Sequence, residues 1–432
     1  MSRSPTPVAA SVAALGLLLA GAAGAGGGEF EPVPDHTPGE LLPAALASGT
    51  DFHVVDPVHG DGLMYRFVLD SRFGTFAAYG SVALALRVRE VAALTQLAAT
   101  SQVGIVAGGV GRGVESQVKT AAGVVTHPVS TVTGIPKGVG HLFRGYSARG
   151  EEALAATKRA ASASGDGAHA LGDDASRAQA AAQRYALQYL GVTAAERAWY
   201  LRLGVSPYTD NTVLRAAVHR VAKTEAIGSF GVKFVALPAL PGISLTQRAV
   251  DAIYHEDPAA VRARTRKALA GYGLDADEIE RWINAPLLNP ARQVLLLSAA
   301  EQLAGVAGRA ELFRHSLGLT SDPEVQVYLQ SASLLVKAHA IHPVTALVAG
   351  VRLPAAQRAD GRLAVCGAFE AVYWTEDVAK NEEQLRRSLP PQPQGAVREL
   401  WLVGTLSERA RSALRERGWE LHAVAQSALA GT

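Results

Sequence analysis

Leu63, Tyr65, Phe67 and Leu69 recur at every second position, the period of a strand with one face turned to a core. Residues 52–55 and 75–79 are also strand-like. Between these runs lie His59-Gly60-Asp61-Gly62 and Asp70-Ser71-Arg72-Phe73-Gly74, both hairpin-turn compositions. The period then lengthens, and Leu84, Val88, Val91 and Leu94 fall on one side of a helix over residues 82–97. The pattern predicts a small antiparallel meander capped by a helix across residues 51–100.

A second helical stretch, 186–342, is marked by its starts. Thr193 with Glu196, Asp275 with Glu278 and Ser321 with Glu324 have the spacing of a capping box, and Asp257-Pro258 and Asn289-Pro290 place a cap before a first-turn proline. The run Val294 to Leu297 inside residues 291–303 suits a helix buried on most sides. From residue 343 the pattern changes again. Residues 346–353, 362–366 and 397–403 read as strands, 376–389 as a charged helix, and the chain closes with a helix and a strand at 419–424. The expected fold is therefore α+β and mainly helical. It has an N-terminal antiparallel sheet with a helix, a central helical domain and a C-terminal α/β module at 343–432.

The flanking segments are of other kinds. Arg3, an uncharged apolar run from Val8 to Ala20 and small residues ending at Ala22 or Ala25 have the order of a secretory signal over residues 1–25. That run is too short to cross a bilayer. Residues 26–50, with four prolines, read as a linker, and the Ala-, Ser- and Gly-rich residues 147–185 as a connector. These features predict an exported protein of the periplasm or cell envelope that does not span the membrane.

Residues 101–146 fit none of these classes. At helical spacing Val132, Ile135, Val139, Leu142, Phe143 and Tyr146 share one face. Arg112, Lys119, Lys137 and Arg144 lie on the other, against the single acid Glu115. Ten glycines interrupt the segment, each costing roughly 1 kcal/mol in a helix interior. Such a stripe needs a surface to cover it: the protein's own helical block, a partner protein, or a lipid interface.

Charge and cysteine content narrow the chemistry. The 41 basic and 39 acidic side chains leave no field to hold nucleic acid, and the single cysteine, Cys366, excludes an internal disulfide and cysteine-built metal cages. The 80 alanines raise helix propensity throughout.

Asp51, His53, Asp56, His59 and Asp61 are a ligand set that suits zinc or manganese, but turn and strand roles already account for them, and no bound metal is expected. His339 and His342 lie three apart at a helix end, where imidazoles also serve the helix C-terminus. Tyr254-His255-Glu256-Asp257 offers a dyad, although Asp257 is already a cap. Gly404-Thr405 precedes a helix that could receive an anion, although Thr405 with Glu408 has capping-box spacing. Cys366 on an apolar strand reads as a core residue. No catalytic residue, metal or cofactor is assigned. The sequence favours a non-catalytic envelope protein that binds a partner or a membrane surface through Val132, Ile135, Lys137, Val139, Leu142, Phe143, Arg144 and Tyr146. The competing expectation is a hydrolase or metal-dependent enzyme with its site between the helical and C-terminal parts.

Overall fold

A computed structural model describes residues 29–100, 142, 191–224, 246–391 and 397–424. Short helices α1 (Pro38–Leu41) and α2 (Ala44–Ala47) lead into β1 (Ser48–Gly49), β2 (Phe52–Val54), β3 (His59–Gly60), β4 (Tyr65–Ser71) and β5 (Gly74–Tyr79). The sheet is antiparallel in the order β1-β2-β4-β3, with β5 also on β4. Helix α3 (Ser81–Thr100) packs on β4 and β5. Alternation along β4 buries Tyr65, Phe67 and Leu69, while α3 brings Leu84, Val91 and Leu94 to meet them.

The helical stretch comprises α4 (Ala194–Leu203), α5 (Thr212–Thr224), α6 (Gln247–Tyr254), α7 (Pro258–Tyr272), α8 (Ala276–Ile283), α9 (Pro290–Gln302), α10 (Ala310–Leu317) and α11 (Asp322–Ile341). Thr193 and Asp275 form complete capping boxes with Glu196 and Glu278, and Asp257 and Asn289 cap the helices that begin with Pro258 and Pro290. At α11, Ser321 accepts from the Glu324 N–H as expected, but the Glu324 carboxylate reaches the Thr320 N–H and hydroxyl instead of closing the box on Ser321.

After α11 come β6 (Val344–Leu347), β7 (Ala355–Arg358), β8 (Leu363–Gly367), β9 (Ala371–Val372), α12 (Glu376–Ser388), β10 (Arg398–Leu402), β11 (Thr405–Leu406), α13 (Glu408–Glu416) and β12 (Trp419–Ala423). The C-terminal sheet runs β12-β10-β8-β7-β6. Its β8, β10 and β12 are parallel, as helical crossovers require, and β6 and β7 run antiparallel to their neighbours. The apolar run expected as one strand over 346–353 is divided: β6 ends at Leu347, the chain turns at Gly350 with φ +82°, and β7 begins at Ala355.

Two cores result. Trp199, Tyr200, Leu214, Val218 and Ile253 of α4–α6 join the N-terminal sheet and α3, whereas Trp282, Phe313, Tyr328 and Leu335 join the C-terminal sheet. Small residues Ala364 and Cys366 on β8 let α11 lie close against the sheet.

Candidate functional site

The residues crowded between Asp51 and Asp61 are distributed among separate structural partners. His59 Nδ1 lies 2.6 Å from Asp35 Oδ1, and Asp51 holds Arg72 Nε at 3.1 Å and accepts the Thr95 hydroxyl at 2.6 Å. Asp61 Oδ1 accepts the Leu63 and Met64 N–H groups at 3.0 and 2.9 Å, a side-chain-stabilised turn. Among the described residues no group of three or more His, Cys, Asp and Glu is placed to hold a metal ion.

His339 Nδ1 accepts the Val344 N–H at 3.1 Å, bonding the start of β6 and not acting as the donor to the helix C-terminus that was expected, and the His342 ring meets Trp401. Asp257 caps α7, Glu256 pairs with Arg264 and the Tyr254 hydroxyl donates to the Val205 carbonyl, so three of the four residues at 254–257 have structural partners. Thr405 lies in β11, and Ser407 caps α13 in its place. Cys366 is fully buried, and burial pushes its thiol pKa far up. Of the apolar stripe, Leu142 is fully buried within the larger core, while Val132, Ile135, Lys137, Val139, Phe143, Arg144 and Tyr146 lie outside the described residues.

Two polar clusters were not legible as sites. The first is a seam between the N-terminal sheet and the C-terminal module, centred on Glu370. Its Oε1 accepts from both the N–H and the hydroxyl of Ser81, at the start of α3, and its Oε2 from the Tyr65 N–H at 3.4 Å. The backbone adds Glu370 N–H to Leu63 O (3.0 Å), Tyr373 N–H to Gly62 O (3.0 Å) and Thr405 N–H to Glu370 O (3.0 Å). His36 Nε2 reaches the Tyr373 hydroxyl at 3.2 Å. Burial raises the Glu370 pKa, and the donors from Ser81 and Tyr65 act against that rise. Tyr79, held by Asp61, is also raised, chiefly by burial.

The second cluster lies on the C-terminal sheet beyond the end of α11. Arg358 of β7 forks onto Glu399 of β10, whose Oε2 also accepts the Trp401 Nε1–H at 2.8 Å. The His422 ring stacks on Trp401 with centroids 4.5 Å apart and planes 8° apart, and His342 meets it edge-on at 6.2 Å. Burial alone would raise the Glu399 pKa, but Arg358 and Trp401 bring it below the ordinary carboxylate value.

No known protein family, characterised protein or solved structure matches this chain. Its chemistry therefore rests on these side chains alone. In both clusters the carboxylate oxygens are taken up by internal donors from different elements, which suits holding modules together better than meeting a substrate. The sequence signal for Glu399 was a single acid inside the apolar run 397–403; Glu370 had no comparable local mark.

Proposed function

We propose that this chain is an exported, non-catalytic protein of the cell envelope that attaches to an anionic membrane surface through residues 101–146. The observation that carries the non-catalytic part is the engagement of Glu370 and Glu399 by structural donors. The attachment part is supported by the sequence: a basic, amphipathic, glycine-interrupted segment that gains helix only when a surface covers its apolar face. The segment follows α3, which ends at Thr100, and near its far end Leu142 is held in the larger core. Leu142 of the stripe is therefore taken by the protein's own core, and the proposed attachment rests on the other residues of the segment. No helix among the described residues is long and apolar enough to cross a membrane.

The enzyme reading has one observation in its favour, the group of His342, Trp401 and His422 drawn from the end of α11 and the C-terminal sheet. Flotation with vesicles of anionic and of neutral lipid tests the proposal. Attachment predicts co-flotation with the anionic vesicles and little with the neutral ones; no flotation with either rejects it. Flotation blocked only when a protein partner is removed from an envelope extract would assign the segment to that partner.

A further inference from the structure

Helix α3 opens without a cap from its own segment. Gly80, which precedes it with φ +89°, has no side chain, and the N–H and hydroxyl of Ser81 donate instead to Glu370 Oε1, 289 positions along the chain. The bond from the hydroxyl is 2.5 Å long. Among the described residues Glu370 Oε2 meets only the Tyr65 N–H, at 3.4 Å. One side chain of the C-terminal module thus closes the start of α3. The backbone bonds from Glu370 to Leu63 O and from Tyr373 to Gly62 O lie in the same seam.

The groups around Glu370 work against an anion. Its donors are neutral, and among the described residues no cation pairs with it. The neighbouring acid is Asp61, whose Oδ2 holds the Tyr79 hydroxyl and stands 3.8 Å from Arg66 Nη2, so Arg66 serves the other carboxylate. Tyr65 and Tyr79 also face Glu370 and stay neutral, because burial raises both; α3 presents only Ser81. The start of α3 favours a negative charge, but burial outweighs it. The two oxygens are unequal in the same sense. Oε1 receives the short bonds, as a carbonyl oxygen would, and Oε2, with its one long contact, is the place for a proton. Glu370 as a whole is partly exposed, which gives solvent a route to it.

We infer that Glu370 is a proton-operated latch: a proton taken from solvent onto Oε2 tightens the seam between α3 and the C-terminal module, and its loss as pH rises loosens that seam. The sign follows from linkage, since the closed seam holds the proton more firmly than an open one in which the carboxyl is in water. It is opposite to that of Glu399, whose partners favour the charged form. Because α3 runs on to Thr100, the latch sets how firmly the helix that leads into residues 101–146 is anchored, whatever those residues bind.

Hydrogen exchange of the full chain between about pH 5 and pH 8, corrected for the intrinsic rate at each pH, tests this at the Glu370 and Tyr373 amides, which donate across the seam. The expected result is protection that rises as pH falls, by at most about tenfold per pH unit, the limit for one proton. Glu370→Gln should abolish that rise, and Asp61→Asn, which removes the facing charge, should move it to lower pH. Tyr373→Phe removes the hydroxyl bonded to His36 and should leave the rise in place, which separates the latch from an imidazole changing charge in the same range. Wild-type protection that stays flat or falls with falling pH overturns the inference. So does a rise that persists in Glu370→Gln or vanishes in Tyr373→Phe. Where Glu370→Gln does not fold, Asp61→Asn decides, and a rise left at the wild-type pH overturns it.

Discussion

Arg358 and Glu399 form a fork across the C-terminal sheet, with Arg358 Nε 3.0 Å from both carboxylate oxygens and Nη2 2.7 Å from Oε2. The two side chains are only 5% and 2% exposed. The fork also organises its neighbours, because Glu399 receives the Trp401 indole N–H and Arg358 donates to the His342 carbonyl. Removing one partner leaves the other charged in a dry site. Arg358→Ala or Glu399→Ala is expected to cost about 3–5 kcal/mol in urea unfolding, while the double replacement Arg358→Met with Glu399→Leu costs much less. Equal losses for the single and double variants would contradict this account.

The same pair fixes a pH dependence. The Glu399 pKa lies below its ordinary value of 4.5, so the folded state binds fewer protons there than the unfolded chain. Its contribution is complete above that ordinary value and is lost as pH falls through the folded value. Glu399→Gln should therefore lower stability at neutral pH and flatten its fall below about pH 4.5. Parallel acid-unfolding curves for wild type and variant would count against the assignment.

Much of the fold was legible because its signals are local. The meander announces itself through Leu63 to Leu69, and the helix starts through caps within three residues of the first turn. The β6–β7 hairpin was missed because buried Val348, Val351 and Leu353 give the run the look of one strand, although Gly350, Arg352 and Pro354 mark the turn. Thr405 and Glu408 satisfy a capping pattern, yet pairing of β11 with β9 uses Thr405 first and leaves Ser407 to cap. The seam joins Tyr65 to Glu370 across 305 positions, and no periodicity reports a contact of that separation.

Two glycines should respond oppositely to alanine. A Cβ on Gly404 would stand 1.8 Å from the Glu370 carbonyl oxygen, a rigid backbone atom at the centre of the seam. Gly271, inside α7, has nothing within 4 Å. Gly404→Ala is expected to destabilise by several kcal/mol or prevent folding, and Gly271→Ala to stabilise by up to about 1 kcal/mol. Thermal melts of the two variants check this, and a neutral Gly404→Ala would show that the seam is looser than described.

Cys366 is sealed on β8 beneath α11, with its thiol held protonated by burial. A thiol reagent at neutral pH should modify it at the rate of global unfolding and reach one equivalent only in denaturant. Rapid labelling of the folded chain would place a reactive thiol where a core residue is assigned.

Export makes a separate prediction. Protein recovered from its native host should begin between Ala23 and Gly26, ahead of Glu31, whose N–H donates to the Trp374 carbonyl. N-terminal sequencing that returned Ser2 or Met1 would remove the envelope assignment.

The central claim is that the stripe ending near Tyr146 is covered by lipid, and placing charge on its apolar face tests it most directly. Flotation on anionic vesicles is measured for wild type and for the Ile135→Asp, Phe143→Asp double variant, together with their melting temperatures. Lipid attachment predicts binding by the wild type that weakens as salt rises, loss of binding in the variant, and nearly equal melting temperatures. A wild type that does not float, with a variant whose melting temperature falls steeply, would contradict it and leave the stripe as part of the protein's own core.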